Sequence, residues 1–298
     1  MPVSHLFLAL AVVFVWGTNF VVIRWGLDGL PPFLFATLRF ALSALPWVLV
    51  VRWPRTADGA RVSWRPLALF GLLLGAGQFG LLFLAIRSDI SPGLASLVIQ
   101  MQVFFTIGLS MLLMHEPVRR FQLVGLALAV AGLAVIGLHL DAHITARGVA
   151  LVLAAGFFWS CANMVVKHVG RVQTFNFVVW SSLFGVPPLL LITLAAEGPA
   201  LVAHSLQHAT PLVWGSVVWQ AVGNSLFGYG VWSWLIARHP AATITPMALL
   251  VPIFGFSASA LALGEPLQPW KLHAALLVMA GLAVNVLWPY VAMRWRRA

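Results

Sequence analysis

The chain has 298 residues, of which 61% are hydrophobic and only 8% charged, which excludes a water-soluble globular domain, where about 25% of residues are charged. The apolar runs are continuous and about 20 residues long, which predicts membrane-spanning helices and excludes the alternating strands of a membrane β-barrel. The net charge of +10 is shared among short loops between these runs, where cations orient a membrane protein, so we expect no nucleic-acid partner.

Ten apolar runs predict ten transmembrane helices. In chain order they cover residues 5–23, 33–51, 67–86, 92–114, 121–138, 148–166, 175–195, 212–236, 241–263 and 272–291. The first run has the length of a signal peptide, but no basic segment precedes it, and we interpret it as the first span. The loops between the runs are too short for a soluble catalytic domain, so the function is expected within the bilayer.

An internal repeat divides the chain. Residues 115–135 and 264–284 align without a gap and agree at nine of 21 positions, and they end the fifth and the tenth run. Each half therefore holds five helices, and an odd number gives the two halves opposite orientations. The sequence predicts an all-α integral membrane protein with ten transmembrane helices in two inverted five-helix repeats, residues 1–143 and 144–298.

The Lys and Arg residues predict the orientation. Twelve of the 17 lie in one set of loops and four in the other, which places both termini in the cytoplasm. The remaining one, Arg39, lies inside the second run, about two turns from its outer end. Snorkelling, or pairing with Asp28 or a carbonyl, is the favoured interpretation for Arg39, and contact with a substrate carboxylate is the alternative.

A second repeated motif joins the first and sixth spans. WGTNFVVIR begins at Trp16 and WSCANMVVK at Trp159, and each places an asparagine, Asn19 or Asn163, on the same helix face as its tryptophan. An unpaired amide in hydrocarbon costs several kcal/mol, so each asparagine must face another helix or a wet cavity. The sequence leaves open whether these residues join helices or line a pathway.

Further polar residues lie in the third, fourth and eighth spans. Gln78 and Gln100 are candidates for substrate contact, whereas Gln102 points about 200° away from Gln100 and is assigned to helix packing. Tyr229 and Trp232 share one face of the eighth span.

Prolines and carboxylates mark the ends and breaks of spans. Pro246 and Pro252 interrupt the ninth span and predict a kink rather than direct substrate contact. Glu116 and Glu265, each followed by proline, are interpreted as the starts of the fifth and tenth helices. All seven carboxylates lie at or beyond span ends, which disfavours a pump with an intramembrane proton-carrying carboxylate. We find no catalytic or metal-binding motif and expect no cofactor.

Several segments resemble a known family, namely WGTNFVVIRWGL at 16–27, LRF at 38–40, GLASLVIQMQVFFTI at 93–107, YGVW at 229–232 and LLVPIFGFSASAL at 249–261. With the ten spans and the repeated tryptophan motif, they resemble the EamA-type branch of the drug/metabolite transporter superfamily over nearly the whole chain. Within this branch the chain is similar to exporters of O-acetylserine and cysteine and to exporters of aromatic amino acids. The resemblance implies a bacterial inner-membrane transporter with a central cavity lined by the first, third, fourth, sixth, eighth and ninth spans.

The function predicted from these features is alternating-access export of amino acids and related metabolites, such as cysteine, O-acetylserine, threonine, methionine and aromatic amino acids. Efflux of drugs or cationic dyes is the alternative, and a membrane-embedded transferase is a weaker one. The oligomeric state stays open, and a monomer is compatible with the sequence. The residues expected to bind substrate are Trp16, Asn19, Gln78, Phe79, Phe83, Gln100, Trp159, Asn163, Tyr229 and Trp232.

Overall fold

A computed structural model describes residues 1–239 and 241–295, which form a helical bundle. Its eleven helices are α1 Val3–Leu27, α2 Pro32–Ala44, α3 Trp64–Ser88, α4 Pro92–Met114, α5 Arg120–Gly137, α6 Ala146–Val169, α7 Thr174–Glu197, α8 Pro199–His208, α9 211–238, α10 241–263 and α11 Pro269–Trp295.

Eight of these helices are long and apolar enough to cross a membrane, namely α1, α3, α4, α5, α6, α7, α10 and α11. Helix α2 is apolar but shorter. Helix α9 contains several polar residues in its middle, and they are buried against the other helices rather than turned towards lipid: Gln220, Asn224 and Ser225 are at most 5% exposed. Its lower hydropathy therefore reflects an inward-facing polar surface.

Helices that occupy the same place in the two halves pack against each other in opposite directions. A methyl group added to Gly125 of α5 would overlap the carbonyl oxygen of Gly281 in α11, and one added to Gly132 would overlap that of Ala274. The residue numbers rise along α5 as they fall along α11, so the two helices are antiparallel. The glycines allow the two backbones to approach this closely.

Two further pairs repeat this arrangement. In α2 and α7, the backbone N–H of Phe33 donates to Glu197, and the hydroxyls of Thr37 and Thr193 lie 2.9 Å apart. In α4 and α10, the N–H of Gly93 donates to the Glu265 carboxylate just beyond α10, and the side chain of Ser96 lies against Gly255. Both pairs are therefore antiparallel as well.

One predicted boundary was wrong, and one helix was not predicted. The second span was expected to continue to residue 51, but α2 ends at Ala44 and turns follow. Pro46 has no N–H to donate to the carbonyl of Leu42, and this missing hydrogen bond interrupts the regular helix although Leu45 keeps helical backbone angles. The loop after the seventh span contains α8, which begins with Pro199 directly after Gly198 at φ +79°. This helix is too short to resemble a span, and most of its residues are exposed.

The Glu-Pro pairs do not begin helices, contrary to the sequence interpretation. Residues 115–119 and 264–268 are non-helical, and α5 and α11 begin only at Arg120 and Pro269. The carboxylates instead reach other parts of the bundle. Glu116 contacts Lys167 at the end of α6, and Glu265 contacts the start of α4.

Candidate functional site

A central cavity lies between α1, α3, α4, α6, α9 and α10. Its volume, counted as the space that the centre of a water molecule can occupy, is about 90 Å³. This accommodates several waters or part of a small solute. Every helix contributes from its middle third, so the cavity lies at mid-depth in the bundle. It is lined by Trp16, Asn19, Phe20, Ile23, Gln78, Phe79, Leu82, Ile99, Gln100, Trp159, Asn224, Tyr229 and Val251. Among the described residues, this lining contains polar and aromatic side chains but no carboxylate and no cation.

The structure brings seven of the ten expected residues to this cavity. They are Trp16, Asn19, Gln78, Phe79, Gln100, Trp159 and Tyr229. Phe83, Asn163 and Trp232 do not line it.

Trp16 of α1 is held by α9. Its indole nitrogen donates to the carbonyl oxygen of Asn224 at 3.2 Å, and its ring centroid lies 5.6 Å from that of Tyr229. Trp232 packs against the same indole at 5.1 Å. Trp232 therefore contacts Trp16 but does not line the cavity.

The amides on the cavity wall differ in how they are paired. The Oδ1 atom of Asn19 accepts a hydrogen bond from Nε2 of Gln220 at 2.7 Å, and both side chains are buried. The Oε1 atom of Gln78 is buried and has no partner among the described residues. Gln78 lines the cavity, and an amide oxygen can accept a hydrogen bond from an ammonium group. Gln220 was missed at the sequence level, although a glutamine in the middle of an apolar run was a usable signal.

Asn163 joins two helices. Its Nδ2 atom lies 3.2 Å from Oε1 of Gln102 and 3.3 Å from the hydroxyl of Thr106, so it ties α6 to α4. The packing role expected for Gln102 agrees with this contact. Phe83 is fully buried and stacks on Phe35 at 4.8 Å. It supports the wall that Phe79 forms.

A smaller side pocket adjoins the central cavity, because Phe79 and Tyr229 line both. Its polar residues come from α2, α7 and α9 and are Arg39, Ser43, Ser181, Ser182, Ser225 and Tyr229.

Arg39 does not snorkel and does not pair with Asp28, contrary to the favoured sequence interpretation. It is only 2% exposed, and Asp28 lies 3.4 Å from Arg24 instead. The guanidinium donates to the hydroxyl of Ser225 at 3.0 Å and lies over the ring of Phe79 at 3.4 Å. These contacts offset part of the cost of its burial and keep it inside the bundle. The position of Arg39 within a predicted span was the sequence signal that could have indicated its burial.

At one end of the bundle, carboxylates bind the N-termini of helices. Glu197 accepts from the backbone N–H groups of Phe33 and Leu34 at the start of α2, at 2.6 and 2.9 Å. Glu265 accepts from the N–H of Gly93 at the start of α4 and forms an ion pair with Lys271. Such N-termini carry partial positive charge and unsatisfied donors, which a carboxylate complements.

The chain matches known proteins over nearly its whole length. The profile of the EamA-like transporter family matches residues 3–138 and again residues 146–287. Two proteins named probable amino-acid metabolite efflux pump are similar to it. The protein from Salmonella typhimurium is 41% identical over 94% of each chain, and that from Escherichia coli is 38% identical over 98% of this chain and 96% of its own.

More distant proteins share the same length and fold. A probable terminal-alkyne amino-acid exporter from Streptantibioticus cattleyicolor is 27% identical over 92% of this chain and 90% of its own. A protein of known crystal structure superposes with a TM-score of 0.62 at 17% identity, covering 96% of this chain and 98% of that one. With two family matches that together span most of the sequence, the chain belongs to the EamA-like transporter family of the drug/metabolite transporter superfamily and is a multi-pass membrane transporter, not an enzyme.

Proposed function

We propose that this protein exports amino acids and related small metabolites from the bacterial cytoplasm by alternating access. The observation that carries the proposal is the central cavity, whose polar but uncharged wall suits a zwitterion. Aromatic rings offer an apolar surface, and amides offer both donors and acceptors. The names of the Salmonella typhimurium and Escherichia coli relatives support the same substrate class.

The proposed architecture is ten transmembrane helices in two inverted repeats, residues 1–143 and 144–298. Helices α2 and α9 complete the ten, and α8 is assigned to the membrane surface. The antiparallel packing of α2 with α7, α4 with α10 and α5 with α11 supports the inversion. The excess of Lys and Arg at one end supports cytoplasmic termini and an inner-membrane location.

Inverted repeats provide a simple route to alternating access. If the two halves differ in conformation, an exchange of their conformations opens a cavity on the midplane towards the other side. The three antiparallel pairs lie where the halves meet, so we assign the relative movement to these contacts.

The proposed roles of the lining residues follow from their chemistry. Trp16, Phe79 and Trp159 bound the substrate side chain, and Asn19, Gln78, Gln100 and Tyr229 bind its polar groups. Phe83, Trp232 and Asn163 support this wall from outside the cavity.

Efflux of organic cations is less well supported. Organic cations inside a membrane protein are usually paired with a carboxylate, and the lining of the central cavity contains none among the described residues. The neighbouring side pocket holds the buried Arg39, whose positive charge repels a cation.

The test is flux from proteoliposomes loaded with labelled cysteine, threonine, methionine or phenylalanine, with and without a pH gradient. We expect saturable flux of at least one of them. Gln100→Ala should raise KM about tenfold through loss of a polar contact with substrate, and Gln102→Ala, two residues away and outside the cavity, serves as the matched control with unchanged KM. Absence of saturable flux for all four amino acids would overturn the proposal.

A further inference from the structure

We propose that the side pocket around Arg39 binds the carboxylate group of the transported substrate. This inference rests on the proposed export function and narrows its substrates to molecules that carry a carboxylate next to an apolar or aromatic body.

The first observation is a concentration of unpaired polar atoms around this pocket. Nε and Nη1 of Arg39 and the hydroxyls of Ser43 and Ser181 are buried and have no hydrogen-bond partner among the described residues. These are four of the nine such side-chain atoms in the described part of the chain. Buried polar groups are nearly always paired, so four unpaired ones around one pocket indicate a missing partner. The two guanidinium nitrogens can only donate and the two hydroxyls are able to donate, so an acceptor is the partner that suits all four atoms.

The second observation is the charge of Arg39. No carboxylate of a described residue lies within ion-pair distance of it, since the four ion pairs involve Arg24, Arg147, Lys167 and Lys271. A buried charge without a counter-charge is strongly destabilising. An acceptor that also carries negative charge satisfies both the unpaired donors and the guanidinium. A carboxylate meets both conditions, and arginine binds it through two parallel hydrogen bonds.

The guanidinium is fixed in position for this contact. Nη2 of Arg39 donates to Ser225 at 3.0 Å, and Ser225 in turn donates to the carbonyl oxygen of Gln220 at 3.0 Å. The ring of Phe79 lies 3.4 Å from the centre of the guanidinium. Phe79 covers one face of the group, and one N–H of Nη2 is occupied. Nε and Nη1 are unpaired and lie on opposite edges of the guanidinium, so a carboxylate can bind one of these edges together with the second N–H of Nη2.

The third observation is the size and place of the pocket. The space open to the centre of a water molecule is about 20 Å³, enough for one or two water-sized groups but too small for a whole amino acid. Phe79 and Tyr229 line both this pocket and the central cavity. These two rings stand between the two spaces. The proposal places the substrate carboxylate in the side pocket and the remaining atoms in the central cavity, where Gln78 can accept a hydrogen bond from the ammonium group.

The experiment compares acids with their amides. Methionine, threonine and phenylalanine, each paired with its primary amide, are titrated against the purified full-length protein in detergent, with thermal stabilisation as the binding readout. Counterflow in liposomes is measured in parallel. We expect wild type to bind at least one acid about tenfold or more tightly than its amide. Arg39→Gln should abolish that preference, and Arg39→Lys should retain part of it.

Controls separate binding from folding. Arg24→Gln removes a cation from the half-exposed end of α1 and should leave the preference unchanged. A double variant, Ser43→Ala with Ser181→Ala, keeps Arg39 and should reduce the preference by a smaller factor. If Arg39→Gln does not yield a monodisperse protein, Arg39→Lys and this double variant provide the test.

Three results would overturn the inference. The first is equal binding of acid and amide by wild type. The second is an acid-over-amide preference that is undiminished in both Arg39 variants and in the double serine variant. The third is stabilisation by chloride that depends on Arg39, without any preference for the acid. The last would assign the pocket to an inorganic anion. Amino-acid flux without an acid preference removes this inference but leaves the export proposal intact. Acid-selective binding without flux removes the export proposal but leaves this inference intact.

Discussion

The two EamA domains carry the same Glu-Pro pair and use it differently. Glu265 of the second domain has a side chain only 7% exposed, and it binds Lys271 at 2.9 Å, the hydroxyl of Ser91 and the N–H of Gly93. Glu116 of the first domain is 52% exposed and has one ion-pair partner, Lys167, at 2.7 Å. The same two residues thus give a buried network at one end of the bundle and an exposed ion pair at the other.

The difference between the two Glu-Pro pairs extends to other contacts at the two ends of the bundle. At the end with Glu265, carboxylates also hold the start of α2 through Glu197 and the start of α6 through Asp89 and Thr145. In the orientation that we propose this end faces outwards. Two inverted halves with the same conformation would have the same contacts at both ends. The unequal carboxylate contacts indicate that the two halves differ in conformation. At the opposite end the halves are joined mainly through backbone carbonyls, as where Asn176 donates to Arg52 and Trp180 to Val51.

The strongest test of this comparison is Glu265→Gln. The substitution leaves Lys271 charged, buried and without its counter-ion, and breaking a buried ion pair costs about 3–5 kcal/mol. We expect the free energy of unfolding in detergent to fall by this amount. Glu116→Gln is the matched control, and removal of its exposed ion pair should cost about 0–1 kcal/mol. Similar losses in the two variants would show that burial does not distinguish the motifs.

A second variant separates the charge from the hydrogen bonds. Glu265→Gln combined with Lys271→Met removes both charges, so the uncompensated ammonium group disappears. We expect the double variant to be more stable than Glu265→Gln alone, by about 1–3 kcal/mol. Denaturant unfolding of both single variants and the double variant measures this coupling. A double variant no more stable than Glu265→Gln would assign the effect to Ser91 and Gly93 instead of the ion pair.

The contact between the domains is tested by Gly125→Val. This glycine faces the backbone of Gly281, and a larger side chain must push α5 away from α11. Overpacking of this kind costs about 1–3 kcal/mol in unfolding free energy. The control is Gly108→Val in α4, because a Cβ there meets nothing within 4 Å and the intrinsic helix penalty is the same. If both variants lose the same free energy of unfolding, the idea that Gly125 allows close packing of α5 and α11 is wrong.

Much of the fold could be predicted from the sequence. Hydropathy locates each helix from its own residues, and the internal repeat relates the two halves by direct alignment. The eight helices that can span a membrane all fall on predicted runs. The end of α2 and the existence of α8 were missed, since Pro46 and Pro199 act through backbone geometry that hydropathy does not record. The Glu-Pro pairs were misplaced for another reason. Their partners lie up to 174 positions away, and only the folded bundle brings them together.

The cavity was predictable to the extent that polar residues in apolar runs must turn inward. That rule brought Asn19, Gln78 and Gln100 to one wall, but it could not separate them from Asn163, which is equally polar and pairs with α4. The expectation for Arg39 was wrong for a different reason. The cost of burying a cation favours snorkelling unless an aromatic ring and a hydroxyl group contact the guanidinium. Phe79 and Ser225 provide these contacts from other helices.

The smallest effect concerns the two asparagines of the repeated tryptophan motif, which lie three residues after Trp16 and four residues after Trp159. Asn163→Ala removes hydrogen bonds between α6 and α4, and such bonds contribute about 0.6 kcal/mol each in membrane bundles. We expect a loss of that order in unfolding free energy and an unchanged KM for amino-acid flux. Asn19→Ala removes an amide from the cavity wall and should raise KM. Since both variants delete the same group from the same motif, equal increases in KM would mean that membership of the motif, not contact with the cavity, determines what these asparagines do.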